Sequence, residues 1–498
     1  MRLADLMGGA ALPATLAGRA VEPAQLAAVE VTGLTADSRR VRAGDLFVAL
    51  PGSRADGRDF INEAVAKGAV AVLAPDGTVW PQGVPPRPLI VDADARRRFA
   101  LMCATLHGVQ PTCVVAVTGT NGKTSTVDFL RQIFARLHGG RAASLGTLGL
   151  LAPGFPPSPS LTTPDPAALH ETLAALARAG IGHAAIEASS HGLDQRRLDG
   201  VRLAAAAFTT FSRDHLDYHG TMAAYLAAKM RLFEVLLDPR RPVVAPTTLA
   251  VEALRALRAA CDRRGLVLHT VGPGGSLIDV ESAVPLPDGT RIRFRFGGER
   301  RDVLLPLVGF QAGNALTAAA LAIVTGAEPD HAFAALSNLA GVRGRIERVA
   351  VLANGASVYV DYAHTPDAIV AVLAALRPHC AGRLTIVFGA GGDRDPGKRA
   401  LMGEAARAAD RVIVADDNPR SEDPALIRAA VRAGCPNAEE IGDRAAAIAA
   451  AIAGLGPGDV AVIAGKGHEQ GQVLGDRVVP FDDATVARDA ADRLGGRQ

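Results

Sequence analysis

At 498 residues the chain exceeds what one hydrophobic core organises, and roughly two to four domains are expected. A hydrophobic content of 49% with 21% charged residues excludes a disordered chain, and a net charge of +2 gives no handle for nucleic acid or an anionic membrane. No apolar run approaches the roughly 18 residues of a membrane span, so no membrane insertion is expected.

Five scattered cysteines (Cys103, Cys113, Cys261, Cys380, Cys435) show neither C-x-x-C spacing nor an even count. That pattern fits a reducing compartment and argues against a disulfide frame or a zinc cluster. The start, L-M-G-G-A-A-L-P-A-T-L-A-G, is weakly signal-like but lacks a strongly basic leader and carries Asp5. A cytoplasmic location is expected.

Residues 1–105 read as a small α/β unit. The runs G-D-L-F-V-A-L, A-V-A-V-L-A and P-L-I-V-D suggest short strands, and F-I-N-E-A-V-A-K-G and A-R-R-R-F-A-L-M-C-A-T-L suggest helices. Residues 106–340 form the next unit. Strand C-V-V-A-V leads through a glycine loop into a helix from about Thr124 to His138, with Val127, Leu130, Ile133, Phe134 and Leu137 on one face. Strands H-A-A-I-E-A and A-A-A-A-F-T-T-F follow. The stretch D-V-E-S-A-V-P-L-P-D-G-T-R-I-R-F-R-F predicts antiparallel strands around a D-G turn. Residues 341–498 alternate S-V-Y-V-D-Y, L-T-I-V-F-G, R-V-I-V-A-D-D and V-A-V-I-A-G with helices, the pattern of a doubly wound parallel sheet. The fold class expected is therefore α/β, in three domains.

Only five of the 53 basic side chains are lysines: Lys67, Lys123, Lys229, Lys398 and Lys466. Lysine is a compact amine that can lose its proton, whereas guanidinium stays charged, so each retained lysine is a candidate for chemistry that arginine cannot perform. Lys67 lies in an ordinary amphipathic stretch and is the bland member. Lys123 closes Val117-Thr118-Gly119-Thr120-Asn121-Gly122-Lys123-Thr124-Ser125, a shortened phosphate loop between a strand and a helix. There the glycines let backbone N–H groups approach phosphate, Lys123 reaches the β- and γ-phosphates, and the Thr124 hydroxyl serves Mg²⁺. Strand ends deliver Glu187 in H-A-A-I-E-A-S-S-H-G and His215 in S-R-D-H-L-D-Y-H-G, a carboxylate and an imidazole suited to a Mg²⁺ site. Lys229, on the helix M-A-A-Y-L-A-A-K-M-R-L-F, is either a solvated helix charge or a neutral amine able to take up CO₂ as a carbamate.

These motifs, with D-Y-A-H-T-P-D, G-G-D-R-D-P-G-K-R, D-D-N-P-R and A-G-K-G-H-E, resemble in order and over essentially the whole chain those of the Mur ligases. That family makes amide bonds with ATP in peptidoglycan synthesis. The resemblance implies a UDP-sugar-binding unit, a central P-loop ATPase unit and a C-terminal Rossmann-like unit. It implies addition of meso-diaminopimelate to the D-Glu γ-carboxylate of UDP-N-acetylmuramoyl-L-alanyl-D-glutamate through an acyl phosphate. ATP, Mg²⁺ and a carboxylated Lys229 are the expected cofactors, and a monomer is expected.

Carried over by motif, Ser38, Ser53, Arg54 and Ala55 match contacts to the UDP moiety, and Thr162, Thr163, Ser189, Gln195 and Arg197 match contacts to the muramoyl dipeptide. Thr124, Glu187, His215 and Lys229 match the metal region, and Asn314, Arg345 and Asp361 match residues that hold adenine and ribose. Asp417, Asn418, Pro419 and Arg420 resemble the diaminopimelate motif, with Arg394 on the other carboxylate and Gly465 and Glu469 on the far ammonium. Diaminopimelate exceeds lysine by one distal carboxylate, which an arginine fork binds bidentately, so Arg420 is the expected discriminator. The chain departs from the family at Ala245-Pro246-Thr247-Thr248, at Gly309-Phe310-Gln311-Ala312-Gly313-Asn314 and at Gln470. The rival readings are a lysine-adding Mur ligase, a folylpolyglutamate-synthase-like ligase and a non-catalytic P-loop protein.

Overall fold

A computed structural model describes residues 1–8, 13–16, 19–52, 55–156 and 161–495. The chain forms two compact units, Met1–Lys123 with Phe134–His269, and Thr124–Ile133 with Thr270–Gln498.

The first unit opens with β1 (Ala14–Leu16), β2 (Arg19–Ala20), β3 (Gly33–Thr35), β4 (Asp45–Val48), β5 (Ala71–Ala74) and β6 (Leu89–Val91), in spatial order β2-β1-β6-β5-β4-β3. Strands β3 to β6 run parallel and β1 lies antiparallel to β6. Because side chains alternate across a strand, Leu46, Val48, Leu73 and Ile90 pack on Phe99 and Met102 of α1 (Ala95–His107). Phe47, Val72 and Leu89 face the other way, onto Ile61, Ala64 and Val65.

A second sheet follows: β7 (Cys113–Thr118), β8 (Ala142–Gly146), β9 (Gly149–Leu151), β10 (His183–Glu187), β11 (Ala205–Phe208) and β12 (Pro242–Pro246). Central β7 pairs in parallel with β10 and β11, while β8 and β12 extend the sheet outward. Helix α2 (Lys123–Leu137) leaves β7 directly and buries Val127, Leu130, Ile133 and Phe134. Asp165 caps α3 (Pro166–Arg178) and Thr221 caps α4 (Met222–Arg231) by accepting from backbone N–H groups. Helix α4 loosens into a π-turn over Leu232–Leu236, right after Lys229; such turns are frequent at functional sites. Strand β13 (Val267–Gly272) runs across the junction of the two units in sequence.

The second unit contains an antiparallel meander, β14 (Ile278–Leu286), β15 (Gly289–Phe296) and β16 (Glu299–Leu305). Its tight loop is Pro287-Asp288 rather than the expected Asp-Gly pair, because Gly289 already pairs with Leu286. Gly289 is needed for another reason: a Cβ there would strike the Leu305 carbonyl. After α5 (Gln311–Val324) come β17 (Glu347–Val351), β18 (Ser357–Asp361), β19 (Leu384–Phe388), β20 (Arg411–Val414), β21 (Glu439–Glu440) and β22 (Val460–Ala464), in order β17-β18-β22-β19-β20-β21.

All but β17 run parallel in this sheet. One face carries α6 (Pro366–Leu376), α7 (Lys398–Ala406) and α8 (Pro424–Arg432) through Ile369, Leu373, Met402, Ile427 and Val431. The other carries α9 (Arg444–Ala453) and α10 (Asp483–Asp492) through Ile448, Ile452, Ala487 and Ala491. Helices on both faces of parallel strands make this the doubly wound sheet expected from the sequence, a fold whose ligands gather at the strands' carboxyl ends. A hairpin, β23 (Gly471–Leu474) with β24 (Arg477–Pro480), completes the unit.

Candidate active site

The phosphate loop follows β7. Gly119 (φ +149°) and Gly122 (φ +84°) take left-handed backbone, and a Cβ at Gly119 would strike the Thr209 hydroxyl. The strand-end residues after β11 hold the loop: Thr210 accepts from the backbone N of Thr120 (2.7 Å, carbonyl) and of Asn121 (2.8 Å, hydroxyl). The Lys123 ammonium folds onto the carbonyls of Gly119 and Thr120, both at 2.9 Å. Next along α2, Thr124 and Ser125 are buried. Backbone N–H groups at a helix start make an anion site of this segment.

Lys229 is 1% exposed, and its Nζ donates to the same Gly119 carbonyl at 2.7 Å. It lies 4.4 Å from the centroid of the Tyr225 ring, whose hydroxyl meets Thr120 Oγ1 at 3.1 Å. Burial, reinforced by the neighbouring Lys123 charge, holds the Lys229 amine well below the ordinary lysine range. Burial also lifts the Tyr225 phenol to about 12. His215 takes left-handed backbone (φ +52°) and packs edge-on to His191 at 4.8 Å. Burial depresses its imidazole; Asp214 opposes that shift, and the His191, Lys123 and Lys229 charges add to it.

Glu187 ends β10 beside β7 and is 2% exposed. Its Oε1 accepts from Thr147 N (2.7 Å) and its Oε2 from Thr147 Oγ1 (3.2 Å), and Thr147 Oγ1 meets Thr162 Oγ1 at 3.2 Å. Thr163 Oγ1 donates to the Glu187 carbonyl at 2.7 Å and lies 3.0 Å from Ser189 Oγ. The Arg197 guanidinium donates to the carbonyl of Thr163 (2.6 Å) and to Gln195 Oε1 (2.7 Å). Thus Thr162, Thr163, Ser189, Gln195 and Arg197 form one hydrogen-bonded chain attached to Glu187. In the N-terminal sheet region, Ser38 Oγ donates to Glu63 Oε2 at 3.0 Å, and Ala55 accepts from Gly52 N at 2.9 Å. Ser53 and Arg54 lie outside the described residues.

In the second unit, Asn314 Nδ2 donates to Gln311 Oε1 (3.0 Å), and Gln311 Nε2 donates to the Arg345 carbonyl (2.6 Å). Gln311, one of the departures from the family pattern, is therefore the link between two of the expected nucleotide residues. The Arg345 guanidinium lies 4.6 Å from the Tyr362 ring centroid. Asp361 accepts from the backbone N of Ile346 (2.7 Å) and Ala363 (2.8 Å); burial raises its carboxyl, with the Arg345 charge opposing. A cavity of about 200 Å³ is lined by Gln311, Val342, Arg345, Arg348 and Tyr359 among others.

The loops after β19, β20 and β22 are laced together. Arg420 adopts left-handed backbone (φ +55°), and its Nη1 donates to the Gly392 carbonyl at 2.6 Å. Asp393 is likewise left-handed (φ +51°), its Oδ1 accepting from Ser421 Oγ at 2.6 Å. Such strain in non-glycine residues clusters at functional sites. Arg394 is exposed on the same loop. Asp417 and Asn418 are buried, Asn418 Nδ2 donates to Glu469 Oε2 at 3.1 Å, and a Cβ on Gly465 would sit 2.7 Å from Asp417 Oδ2.

Residues 30–98, 117–322 and 344–467 match, respectively, the Mur ligase family catalytic domain, the Mur ligase middle domain and the Mur ligase glutamate ligase domain. The chain belongs to the Mur ligase family. It is 52% identical to a UDP-N-acetylmuramoyl-L-alanyl-D-glutamate–2,6-diaminopimelate ligase of Caulobacter vibrioides, covering 91% of this chain and 94% of that one. It is 51% identical to the protein of the same name from Bradyrhizobium diazoefficiens, covering 99% and 100%. A solved structure of a ligase of that name aligns at TM-score 0.69 and 33% identity, over 93% of this chain and 95% of that one. The ADP complex of the MurF ligase of Thermotoga maritima aligns at TM-score 0.60 and 20% identity, over 93% and 97%, and shows the shared fold. As a Mur ligase the protein is an enzyme of ATP-driven bond formation, in a family that uses Mg²⁺.

Several residues of this Mur ligase site carry no sequence signal of their own. Thr147 holds both oxygens of Glu187, and Thr209 and Thr210 brace the phosphate loop from about 90 residues away. Lys67, expected to be bland, donates to the Ser38 carbonyl (3.0 Å) and to Glu63 (2.6 Å), so it belongs to the Ser38 cluster. Lys398 donates to the His364 carbonyl at 3.0 Å. Arg444 and Asp483 form a fully buried pair at 2.7 Å, and Arg444 Nη2 also donates to the Ala464 carbonyl at 2.9 Å. Only a short-range motif would have shown these from sequence, and their partners are far apart in the chain.

Proposed function

We propose that this chain joins meso-diaminopimelate to the D-Glu γ-carboxylate of UDP-N-acetylmuramoyl-L-alanyl-D-glutamate, with ATP, in peptidoglycan synthesis. The observation that carries the reading is the loop Asp417-Asn418-Pro419-Arg420, with Arg420 in left-handed backbone and its guanidinium placed at the Gly392-Asp393-Arg394 loop. A guanidinium held there suits the second carboxylate that distinguishes diaminopimelate from lysine. The relatives about half identical to this chain are named UDP-N-acetylmuramoyl-L-alanyl-D-glutamate–2,6-diaminopimelate ligases.

The steps are those that the likeness to Mur ligases implies. A γ-carboxylate oxygen of the dipeptide attacks the γ-phosphorus of ATP, the bond to the β-phosphate oxygen breaks, and ADP leaves. The acceptor amine then attacks the acyl carbon, and the tetrahedral intermediate expels inorganic phosphate and loses a proton to give the amide. Lys123 and the loop N–H groups neutralise charge on the transferring phosphoryl group. Thr162, Thr163, Ser189, Gln195 and Arg197 position the dipeptide, Ser38 with Ser53, Arg54 and Ala55 holds the UDP moiety, and Asn314, Arg345 and Asp361 hold the nucleoside of ATP.

Mg²⁺ fits this donor set only with outside oxygens. Among the described residues no group of three or more His, Cys, Asp or Glu is gathered as a metal site. Thr124, Glu187 and His215 would be completed by phosphate oxygens and by a carbamate on Lys229, as suits a cation that keeps few protein ligands. Bound there, Mg²⁺ supplies charge neutralisation of the phosphates. A neutral, buried Lys229 amine is the form that takes up CO₂. Labelled bicarbonate should give a carbamate signal that Lys229→Arg abolishes; an unchanged spectrum contradicts the assignment.

We further read residues 1–105, 106–340 and 341–498 as the UDP-sugar, ATP and amino-acid domains of a cytoplasmic monomer. No helix among the described residues is long and apolar enough to cross a membrane. The deciding experiment follows phosphate release with the UDP-dipeptide and a panel of amino acids. Release driven by meso-diaminopimelate supports the reading, and equal release with L-lysine opposes it.

A further inference from the structure

Lys466 is 0% exposed, the more deeply buried of the two lysines in the C-terminal motifs. Gly465 (φ +117°) and Gly467 (φ +55°) flank it, and the left-handed turns they permit carry the lysine side chain inward from the end of β22. Its Nζ donates to Asn418 Oδ1 at 3.0 Å and approaches Glu469 Oε2 at 3.5 Å. Asn418 Oδ1 also accepts from Val473 N at 2.9 Å, while Asn418 Nδ2 donates to Glu469 Oε2 at 3.1 Å.

Which end of an asparagine amide faces which partner has to be argued from its neighbours. Here the neighbours decide. An ammonium and a backbone N–H can only donate, so the Asn418 oxygen must face both, and its NH₂ must face Glu469. Remove the ammonium and one of the two constraints on the amide is lost. Glu469 then also loses one of the two donors that hold Oε2.

We propose that Lys466 is the positioning residue of the acceptor site: its buried ammonium locks the Asn418 amide and the Glu469 carboxylate together, so that the loops after β20 and β22 form one preformed receptor for the acceptor's distal ammonium. The proposal rests on the acceptor reading given under Proposed function. Exposure agrees with it: the Lys466 side chain is 0% exposed and that of Glu469 36%, so the carboxylate is held from its buried side and open to an incoming cation. Preformed groups of this kind save the ordering cost of binding. The task also explains a lysine in an arginine-rich chain, because a single Nζ fits between one amide oxygen and one carboxylate oxygen where a planar fork does not.

The test uses the full-length enzyme with Lys466→Met, Lys466→Gln, Asn418→Ala and the Lys466→Met/Asn418→Ala double variant. Thermal unfolding of each is followed alongside phosphate release. Lys466→Met should raise the KM for meso-diaminopimelate about ten- to a hundredfold, the loss of a charge-assisted bond. The KM values for ATP and the UDP-dipeptide should stay within about twofold, as groups outside the coupled network do. Lys466→Gln, which keeps a donor, should fall between, and it carries the test if the methionine variant does not fold. The double variant should lose less than the sum of the two single losses, because Lys466 and Asn418 belong to one network around Glu469. Preference for meso-diaminopimelate over L-lysine should survive, since both offer the distal ammonium.

An unchanged acceptor KM overturns the proposal. So does a loss shared equally by all three substrates together with the melting temperature, the mark of a purely structural lysine. An additive double variant overturns it as well. The wild-type acceptor panel separates the two claims. If the enzyme prefers another amino acid, the functional reading fails, and the Lys466 comparison is made on that acceptor. If no acceptor is used, both fall.

Discussion

Lys229 and Arg444 are 1% and 2% exposed, and each lies near the carboxyl ends of parallel strands. Lys229 is offered a carbonyl, an aromatic face and a neighbouring ammonium, and burial drives it toward the neutral amine. Arg444 is offered a bidentate carboxylate; burial opposes its charge, but the Asp483 carboxylate outweighs burial and raises it above the ordinary arginine value. Equal burial therefore yields opposite outcomes, and the partner decides. The first arrangement favours the neutral amine, and the second makes a fixed brace at the ends of β20 and β22.

The contrast can be broken at either end. The largest effect is expected from Lys229→Ala, which should lower kcat by about two to three orders of magnitude, the cost of removing one electrostatic element of a phosphoryl-transfer site. Acetate or formate, filling the place of the proposed carbamate, should restore part of the rate; a variant within tenfold of wild type contradicts that role. At the other end, Asp483→Asn strands Arg444 without its carboxylate and should destabilise folding by about 3–5 kcal/mol. Urea unfolding measures this, and a loss below about 1 kcal/mol, the level of an exposed pair, would show that the pair is replaceable. Arg420→Ala touches neither cation and should weaken meso-diaminopimelate about a hundredfold in kcat/KM while leaving L-lysine unchanged, so that discrimination collapses.

The smallest effect sharpens the same lesson with a third buried base. Burial lowers His170 to about 4, and its Nε2 sits 2.9 Å from the Asp199 carbonyl. The unfolded chain, with an ordinary histidine value of 6.5, takes up the proton first. Stability is therefore intact above that value and falls as pH drops toward the folded value. At about pH 5.5 the loss should be roughly 1.4 kcal/mol relative to about pH 7.5. His170→Gln, which keeps a donor for the Asp199 carbonyl, should remove that part of the pH dependence in urea unfolding; an unaltered slope counts against it.

Much of the fold was legible because strand and loop alternate locally. C-V-V-A-V before the glycine loop and V-A-V-I-A-G before Lys466 both mark buried parallel strands, and their motifs fall at the carboxyl ends. The turn at Pro287-Asp288 was misplaced because the demand for Gly289 comes from Leu305, on the next strand but not the next residue. Lys67 looked ordinary because Ser38, its partner, is 29 residues away. Arg444 and Asp483 carry no motif, and their pairing across 39 residues follows only from the way α9 and α10 cover the sheet. Scarcity of lysine flagged Lys466, but its role depended on which donors surround the Asn418 amide, a property of packing alone.

The most direct test of the account measures ATP-dependent phosphate release with the UDP-dipeptide and either meso-diaminopimelate or L-lysine. A kcat/KM about a hundredfold or more higher for meso-diaminopimelate is the expected result, given a carboxylate that only this acceptor presents to Arg420. Equal values, or a preference for L-lysine, would contradict it.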